Sequence, residues 1–488
     1  MSVRGQALFG VEDIRRIEHE AARRGGFPSL ILMERAAAAA WRCLRELWPS
    51  AHRITVVCGT GNNAGDGYEL ARLASADGRV VQIIQVGQVA ARGDASLTWA
   101  RLSAIGIPVT TELGKLDQSD VIVDALFGIG LNRPVTGHAL AAIEAMNAAS
   151  APCFSLDIPS GLDATTGNVL GLAVRAQATL SFIALKPGLV TGAARDHTGA
   201  LRVADLGIDE AASGVSPFAR LTGWQDWAQL CRPRPRHAHK GDSGHVLLVG
   251  GAPGMGGAIR LAAEAALRTG AGLVSVAAAP AVAATLSAAR PEIMAHGVED
   301  FSELAPLLAR ASVLAIGPGL GQSAWSARLW SVVCEHPLPM VVDADGLNLL
   351  ARDPFERQDR ILTPHPGEAG RLLATESAHL AKSDRYAAAG ALRTRYGGHI
   401  VLKGAGTVVE TSRSRAVIAG GNPGMAVGGM GDVLTGIIAA LLAQGVAPAD
   451  AAVAGPALHA AAGDRAAAAG ERGMLASEVI EQLRALVN

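Results

Sequence analysis

Gly429-Met430-Gly431-Asp432 sets a glycine turn and one carboxylate directly before an apolar helical run, Val433, Leu434, Ile437, Ile438, Leu441 and Leu442. A helix starting there offers free backbone N–H groups and the positive end of its dipole to an anion held in the turn, which suits a phosphate. Asp432 is placed either to cap that helix or to act as a base on a group bound at its end. Lysine is confined to Lys115, Lys186, Lys240, Lys382 and Lys403, although the chain has 43 basic residues. Three of these stand in Gly/Pro loops: Lys186 in Leu-Lys-Pro-Gly, Lys240 in His-Lys-Gly-Asp and Lys403 in Leu-Lys-Gly-Ala-Gly. A compact ammonium beside glycine, where backbone approaches a ligand, points to phosphate contact. No G-x-x-x-x-G-K-[ST] occurs, so a nucleotide is not held by a Walker-type loop.

In the first half, three apolar runs end in the same polar chemistry. GTGNNAGDG (59–67) follows the run 54–58, DALFGIGLNRP (124–134) follows 121–123, and DIPSGLD (157–163) follows 153–156. Asparagine is scarce, yet Asn62, Asn63 and Asn132 all fall in these segments. Turn formation alone accounts for any one such loop. Three in succession point to a ligand site at strand C-terminal ends, where open α/β sheets bind.

The elements that must position these residues are short β-branched runs alternating with helical segments, the pattern of parallel α/β layers. Strands are predicted at 54–58, 80–86, 121–124, 153–157 and 179–183 in the first half, and at 245–249, 273–277, 313–316, 340–343 and 400–402 in the second. Proline alternating with arginine in CRPRPRHAHK cannot continue a helix or a central strand. The expected organisation is therefore a domain over 1–225, a linker at 226–234 and a domain over 235–488, in keeping with a 488-residue chain. The net charge of -1 gives no reason to expect a nucleic-acid or anionic-membrane partner. Cys43, Cys58, Cys153, Cys231 and Cys334 form no CxxC pair and fit a reduced, cytoplasmic protein. Early charges in the N-terminal segment argue against a secretory signal, and the uncharged runs 273–289 and 433–449 hold Pro280, Gly436 and Gly445, as buried elements rather than membrane spans do.

GNNAGDG, DALFGIGLNRP and LDIPSGLD resemble the motifs of the NAD(P)H-hydrate epimerase domain, over about the first 210 residues. HKGDSGHVLLVGGAPGMGGA, AIGPGLG, VVDADGLNLL, LTPHPGEAGRLL, LKGAGTVV and the 421–436 loop resemble the ADP-dependent NAD(P)H-hydrate dehydratase, over about 235–488. The resemblance implies a Rossmann-like three-layer α/β/α domain followed by a ribokinase-like α/β domain. It carries nucleotide binding to Asn62, Asn63, Ala64, Gly65 and Asp66 and to Gly128, Ile129, Gly130, Leu131, Asn132, Arg133 and Pro134. It implies a potassium ion at Asn63, Asp124 and Ser160, and substrate binding by Asp157. Ala64 departs from the family pattern, which has glycine there; a methyl intrudes only if that residue needs positive φ. In the second domain, Lys403, Gly404, Ala405, Gly406, Thr407 and Gly431 correspond to the adenine-nucleotide site, and Ala258, Gly319, His365 and Asp432 to residues contacting the hydrated nicotinamide nucleotide.

The implied substrates are NADH hydrate (NADHX), NADPH hydrate (NADPHX) and ADP, with magnesium on the ADP diphosphate. An assembly of identical chains is expected. The hydrated ring carries a hydroxyl next to nitrogen, a poor leaving group at neutral pH. Phosphorylating it makes it a good one, with Gly431 N–H and the helix terminus stabilising the diphosphate and Asp432 as base. Epimerising the same carbon needs only reversible loss and return at that one centre, with a carboxylate such as Asp157 shuttling the proton. The rival is a small-molecule kinase of the hydroxyethylthiazole or pyrimidine type, which also uses a glycine anion hole and aspartate, with a non-catalytic first domain for binding or oligomerisation.

Overall fold

The computed structural model describes residues 5–89, 91–209 and 213–488. The chain divides into two compact units, Met1–Arg220 and Leu221–Asn488.

In the first unit, α1 (Val11–Gly25) and α2 (Leu30–Leu47) precede β1 (Arg53–Cys58), α3 (Asn62–Ala76), β2 (Val80–Gln85), α4 (Asp94–Ala104), β3 (Val109–Thr110), β4 (Val121–Ala125), α5 (Gly137–Ala148), β5 (Cys153–Leu156), β6 (Ala178–Phe182) and β7 (Ala200–Ala204). The sheet order is β3-β2-β1-β4-β5-β6-β7, and every neighbouring pair is parallel. Ile54, Val56, Val57 and Cys58 of β1 are all buried, as a strand covered on both faces requires. The chain runs outward from β1 to β3 and then returns to β4 on the other side of β1. That reversal makes a switch point between β1 and β4, and the segments 59–67 and 124–134 flank it.

GNNAGDG is a helical turn rather than a free loop: α3 starts at Asn62, one residue past Gly61. Ala64 lies inside α3 without positive φ and is buried, so its methyl meets no backbone penalty. Gly67 is where α3 touches the sheet, since a methyl there would sit 2.6 Å from Ala125 Cβ.

The second unit contains β8 (His245–Val249), α6 (Gly256–Thr269), β9 (Leu273–Ala278), α7 (Pro280–Ala289), β10 (Met294–Gly297), α8 (Ala305–Leu308), β11 (Val313–Ile316), α9 (Ala324–Cys334), β12 (Met340–Val342), α10 (Ala344–Arg352), β13 (Arg360–Leu362), α11 (Pro366–Ser377), α12 (Leu380–Ser383), α13 (Arg385–Tyr396), β14 (His399–Leu402), β15 (Val408–Glu410), β16 (Arg415–Ile418), α14 (Met430–Ala443), α15 (Pro448–Ala466) and α16 (Ala476–Leu486). Its strands run β16-β15-β14-β13-β12-β11-β8-β9-β10. They are parallel from β10 to β14, and β15 and β16 continue the sheet as antiparallel strands. Helix α14 is buried along nearly its whole length and belongs to the same apolar cluster as α6, α15 and the sheet.

Residues 226–234, expected as the linker, fall within the second unit. Trp224 is buried and its indole N–H donates to Leu486 O at 3.0 Å, while Trp227, Leu230 and Cys231 pack against the core.

Candidate active sites

In the first unit, the C-terminal ends of β1, β4 and β5 open onto a cavity of about 1140 Å3 lined by the 60–63 and 126–136 segments, Asp66, Asp157, Lys186 and residues of α1 and α2. That is large enough to take a whole small ligand. Asp157 has φ 63, a left-handed conformation that costs a non-glycine residue energy and persists only where its surroundings hold it. Here its N–H donates to Leu180 O at 2.8 Å, Phe182 N–H donates to its Oδ1 at 3.1 Å, and the same oxygen is ion-paired with Lys186. Lys186 is itself buried, donating also to Ser181 Oγ (3.1 Å) and Phe182 O (2.8 Å). The expectation that Lys186 meets phosphate is therefore corrected: its ammonium is engaged in fixing Asp157.

Two more carboxyls face this pair. Burial, then Asp157 and Glu18, push Asp66 well above the ordinary carboxylate range, with Lys186 opposing. Burial and Asp157 likewise raise Glu18. Glu18 on α1 was invisible to the motifs, because only the fold brings α1 over the strand ends. Asp163, by contrast, caps its own turn through Thr165 N–H and Thr166 N–H at 3.0 and 2.7 Å.

Asn63, Asp124 and Ser160 do come together. Asp124 is fully buried and accepts from Ser155 Oγ (2.8 Å), Ser160 N–H (2.8 Å), Ser160 Oγ (2.5 Å) and Leu126 N–H (3.2 Å). Ser160 Oγ accepts from Phe127 N–H at 2.8 Å, and Asn63 Nδ2 donates to Phe127 O at 2.9 Å. That leaves Asn63 Oδ1 buried without a hydrogen-bond donor. An orphaned carbonyl oxygen costs free energy unless a cation or donor meets it, so the oxygen-rich corner fits a hard monovalent cation.

The second unit gathers its chemistry at the ends of β12, β13 and β14 and at the start of α14. Lys403 Nζ lies 2.6 Å from Asp343 Oδ1 and 3.8 Å from Glu368 Oε2. Asp343 Oδ2 accepts from Thr435 Oγ1 on α14 at 2.9 Å. Burial alone would lower the Lys403 pKa, but Asp343 and Glu368, with Asp432, outweigh it and hold the ammonium charged. A methyl at Gly431 would stand 3.2 Å from Lys403 Nζ and 3.4 Å from Asp343 Oδ2, so glycine leaves the ammonium its place at the helix start. Burial, followed by Asp343 and Glu368, pushes Asp432 up to about 7 against the pull of Lys403. A carboxylate that titrates near neutrality in a cleft beside a cation is suited to general-base work. Asp343 and Glu368 were not singled out from the sequence, although both lie in quoted motifs; their burial is what makes them partners of Lys403.

His365 is the N-cap of α11. Its Nδ1 accepts from Gly367 N–H at 3.0 Å and its own N–H donates to Glu368 Oε2 at 2.8 Å. Burial, then Lys403 and Arg371, lower its pKa, so the ring is neutral near pH 7 and keeps Nε2–H as donor. Gly319 has φ 58, and a methyl there would meet Met255 O at 2.4 Å and Ala258 Cβ at 3.3 Å, which puts the two expected substrate contacts side by side. The Lys403–Thr407 loop is shaped by Arg385, which sequence reasoning missed. Its guanidinium is buried and donates to Ala405 O (2.6 Å), Leu402 O (3.1 Å) and Lys403 O (3.2 Å). Those contacts hold the loop's carbonyls on Arg385 and fix its course from β14. Gly404 and Gly406 take positive φ (139 and 61), and Thr407 Oγ1 closes the turn on Gly404 O at 3.1 Å.

Comparison with known proteins identifies the family of each unit. Residues 29–188 match the family model described as YjeF-related protein N-terminus, and residues 246–485 match that described as NAD(P)H-hydrate dehydratase. The chain is 46% identical over 486 residues to the bifunctional NAD(P)H-hydrate repair enzyme of Coxiella burnetii, covering 99% of both. Among solved structures, a ribokinase-like superfamily protein from Enterococcus faecalis is 31% identical with a TM-score of 0.49, covering 53% of this chain and 93% of that one. A hypothetical protein from Streptococcus mutans is 28% identical with a TM-score of 0.51, covering 55% of this chain and 100% of that one. With its length matched end to end and both sets of strand-end residues in place, the chain belongs to the bifunctional NAD(P)H-hydrate repair enzymes.

Proposed function

We propose that the chain repairs hydrated NAD(P)H in two steps: the first unit interconverts the R and S epimers, and the second unit, which includes residues 226–234, dehydrates the S epimer with ADP. The observation that carries the second step is Asp432, held near neutrality at a helix N-terminus beside Lys403 and Gly431. Asp432 takes the proton of the ring hydroxyl as that oxygen attacks the β-phosphoryl of ADP, and AMP departs. The ring nitrogen's lone pair then expels phosphate, and loss of a proton from the neighbouring carbon restores the reduced ring. Lys403, the Gly404–Ala405–Gly406–Thr407 loop and Gly431 N–H hold the diphosphate and stabilise its developing charge. Ala258, Gly319 and the neutral His365 orient the hydrated ring.

In the first unit, Asp157, held by Lys186, shuttles the proton as the ring hydroxyl is reversibly lost from and returned to the epimerising carbon, the ring nitrogen supplying the electrons. Asn62, Asn63, Ala64, Gly65, Asp66 and the segment Gly128 to Pro134 hold the nucleotide across the switch point. Potassium would be held by Asn63, Asp124 and Ser160, and would supply positive charge to balance the nucleotide's phosphates. Magnesium enters on the ADP phosphates. Among the described residues no cluster of three or more His, Cys, Asp or Glu side chains is arranged to hold a metal ion. Among the described residues, no helix is long and apolar enough to cross a membrane. We assign the enzyme to the cytoplasm and expect it to act as a homo-oligomer.

The test supplies separated hydrate epimers and ADP to the full chain and to Asp157→Asn. Asparagine tolerates the left-handed backbone and can still accept from Lys186, so the fold is kept. Wild type should regenerate the reduced ring from both epimers, and the variant from the S form alone. A wild type that phosphorylates a small alcohol but restores no reduced-ring absorbance would instead be a kinase.

A further inference from the structure

A separate pocket of about 470 Å3 is lined by Gln322, Asn348, Ala351, Arg352 and Arg371, none of which takes part in the chemistry above. It is built on a polar ladder. Asp345 Oδ2 accepts from Gly321 N–H at 2.8 Å, and its Oδ1 accepts from Asn348 Nδ2 at 3.2 Å and Gln322 Nε2 at 3.4 Å. Fixing the two amides by their nitrogens turns their oxygens outward. Arg352 then donates to Gln322 Oε1, and Arg371 Nε donates to Asn348 Oδ1 at 2.9 Å. Among the described residues neither guanidinium is paired with a carboxylate. Each has five N–H donors in a rigid fork, and one amide oxygen leaves most of them for a ligand. Two guanidiniums oriented by neutral amides across one pocket are matched by an anion that accepts several hydrogen bonds at once, which is the chemistry of phosphate.

The pocket adjoins the proposed hydrate site on both sides. Gly321 is two residues past Gly319, and Arg371 is close enough to His365 to lower its pKa. Along α11, Arg371 lies six residues beyond His365, about 9 Å along the axis at 1.5 Å per residue and about 120° around it. A dinucleotide whose nicotinamide ring sits at His365 and Asp432 is longer than that separation, so one of its phosphates can reach the two arginines.

We infer that the Arg352–Arg371 pocket binds a phosphate group of the hydrated dinucleotide and so sets the affinity of the second unit for its substrate; this rests on the dehydratase reading above. Two phosphates supply that chemistry: the diphosphate common to both hydrates and the ribose monophosphate present only in the NADPH form.

Arg352→Gln, Arg371→Gln and the pair are compared with wild type in the full chain, at saturating ADP, on the S hydrates of NADH and NADPH. The pair should raise the hydrate KM more than about tenfold while kcat and the KM for ADP stay within about twofold. An equal rise for both hydrates assigns the diphosphate, and a rise confined to the NADPH form assigns the ribose phosphate. Unchanged hydrate KM values, or a rise in the ADP KM instead, overturn the pocket. Titration with NADPH gives a readout without turnover: the pair should lose one binding event seen in wild type. Identical isotherms overturn the pocket. A wild type that binds NADPH there but never dehydrates the hydrate sinks the functional reading and leaves the pocket standing.

Discussion

At the residue scale, Asp432 ties activity to stability in opposite directions. Its carboxyl titrates at about 7 in the folded chain against 3.8 when unperturbed, so the folded state binds more protons than the unfolded one across that window. Stability from this group is thus present below the lower value and lost as pH rises toward 7, by about 1.4 kcal/mol for each pH unit crossed between the two values. Asp432→Asn should abolish dehydration, because the amide accepts no proton, while ADP still binds. It should also melt higher than wild type at about pH 8, with the two curves converging toward about pH 4. Parallel melting curves across that range would show that Asp432 is an ordinary solvated cap. Wild-type kcat/KM should rise with pH through about 7 as the base ionises. Lys403 carries a second, coupled expectation. Because Asp343 is only 2% exposed, Lys403→Ala leaves a buried charge without its partner, at a cost of about 3–5 kcal/mol. The loss in ADP affinity should therefore come with a lower melting temperature. Lys403→Ala with Asp343→Asn should recover the stability and not the affinity. If the double variant regains ADP binding in a calorimetric titration, Lys403 serves structure alone.

At the scale of elements, α14 shows how one helix both builds a site and depends on its packing. Its first turn holds Gly431 and Asp432, while further along Gly436 lies against α6, where a methyl would stand 2.0 Å from Ala262 O. That neighbour is backbone and cannot swing aside. Gly436→Ala should push α14 off α6, destabilise the chain by about 1–3 kcal/mol and lower dehydration through displacement of Asp432. Thermal melting and turnover checked together decide it; an unchanged melting temperature would mean that the helices close differently. The apolar run behind Asp432 was legible because a helix buried on all sides is apolar on all sides. So were the strands at 245–249 and 313–316, whose β-branched and apolar residues are flanked by glycine loops. Three of the unforeseen strands lack that signal. β3 is two residues long, β10 is Met-Ala-His-Gly, and β13 opens on the buried Arg360, whose Nη2 donates to the Phe355 and Tyr396 carbonyls while its guanidinium lies over their rings. Site residues followed the same division. Those in glycine motifs, such as Asn63, Asp157 and Lys403, stood out, whereas Glu18 and Arg385 are recognisable only once α1 and α13 are placed.

At the scale of the whole molecule, the two units have separate cores and separate sets of strand-end residues, so each activity is expected to survive without the other. Where the second unit begins is a physical question about tryptophan. The Pro/Arg run suggests a start near Arg234, but that would remove Trp224, which is 6% exposed and hydrogen-bonded to Leu486 O at 3.0 Å, together with Trp227 and Leu230. Loss of a buried tryptophan side chain costs about 3–5 kcal/mol, a large share of the stability of any domain. A chain starting at Leu221 should therefore fold, melt cooperatively and dehydrate the S hydrate alone. One starting at Arg234 should melt well below it or aggregate through the exposed floor of the core. A chain ending at Arg220 should interconvert the epimers without ADP. Chromatography of the two epimers over time reads both activities. If the Leu221 chain consumes both epimers at equal rates, the first unit supplies nothing to the second and is a binding module. If the chain starting at Arg234 melts with the one starting at Leu221, the tryptophan segment is an accessory wrap and the sequence-based boundary is the better one.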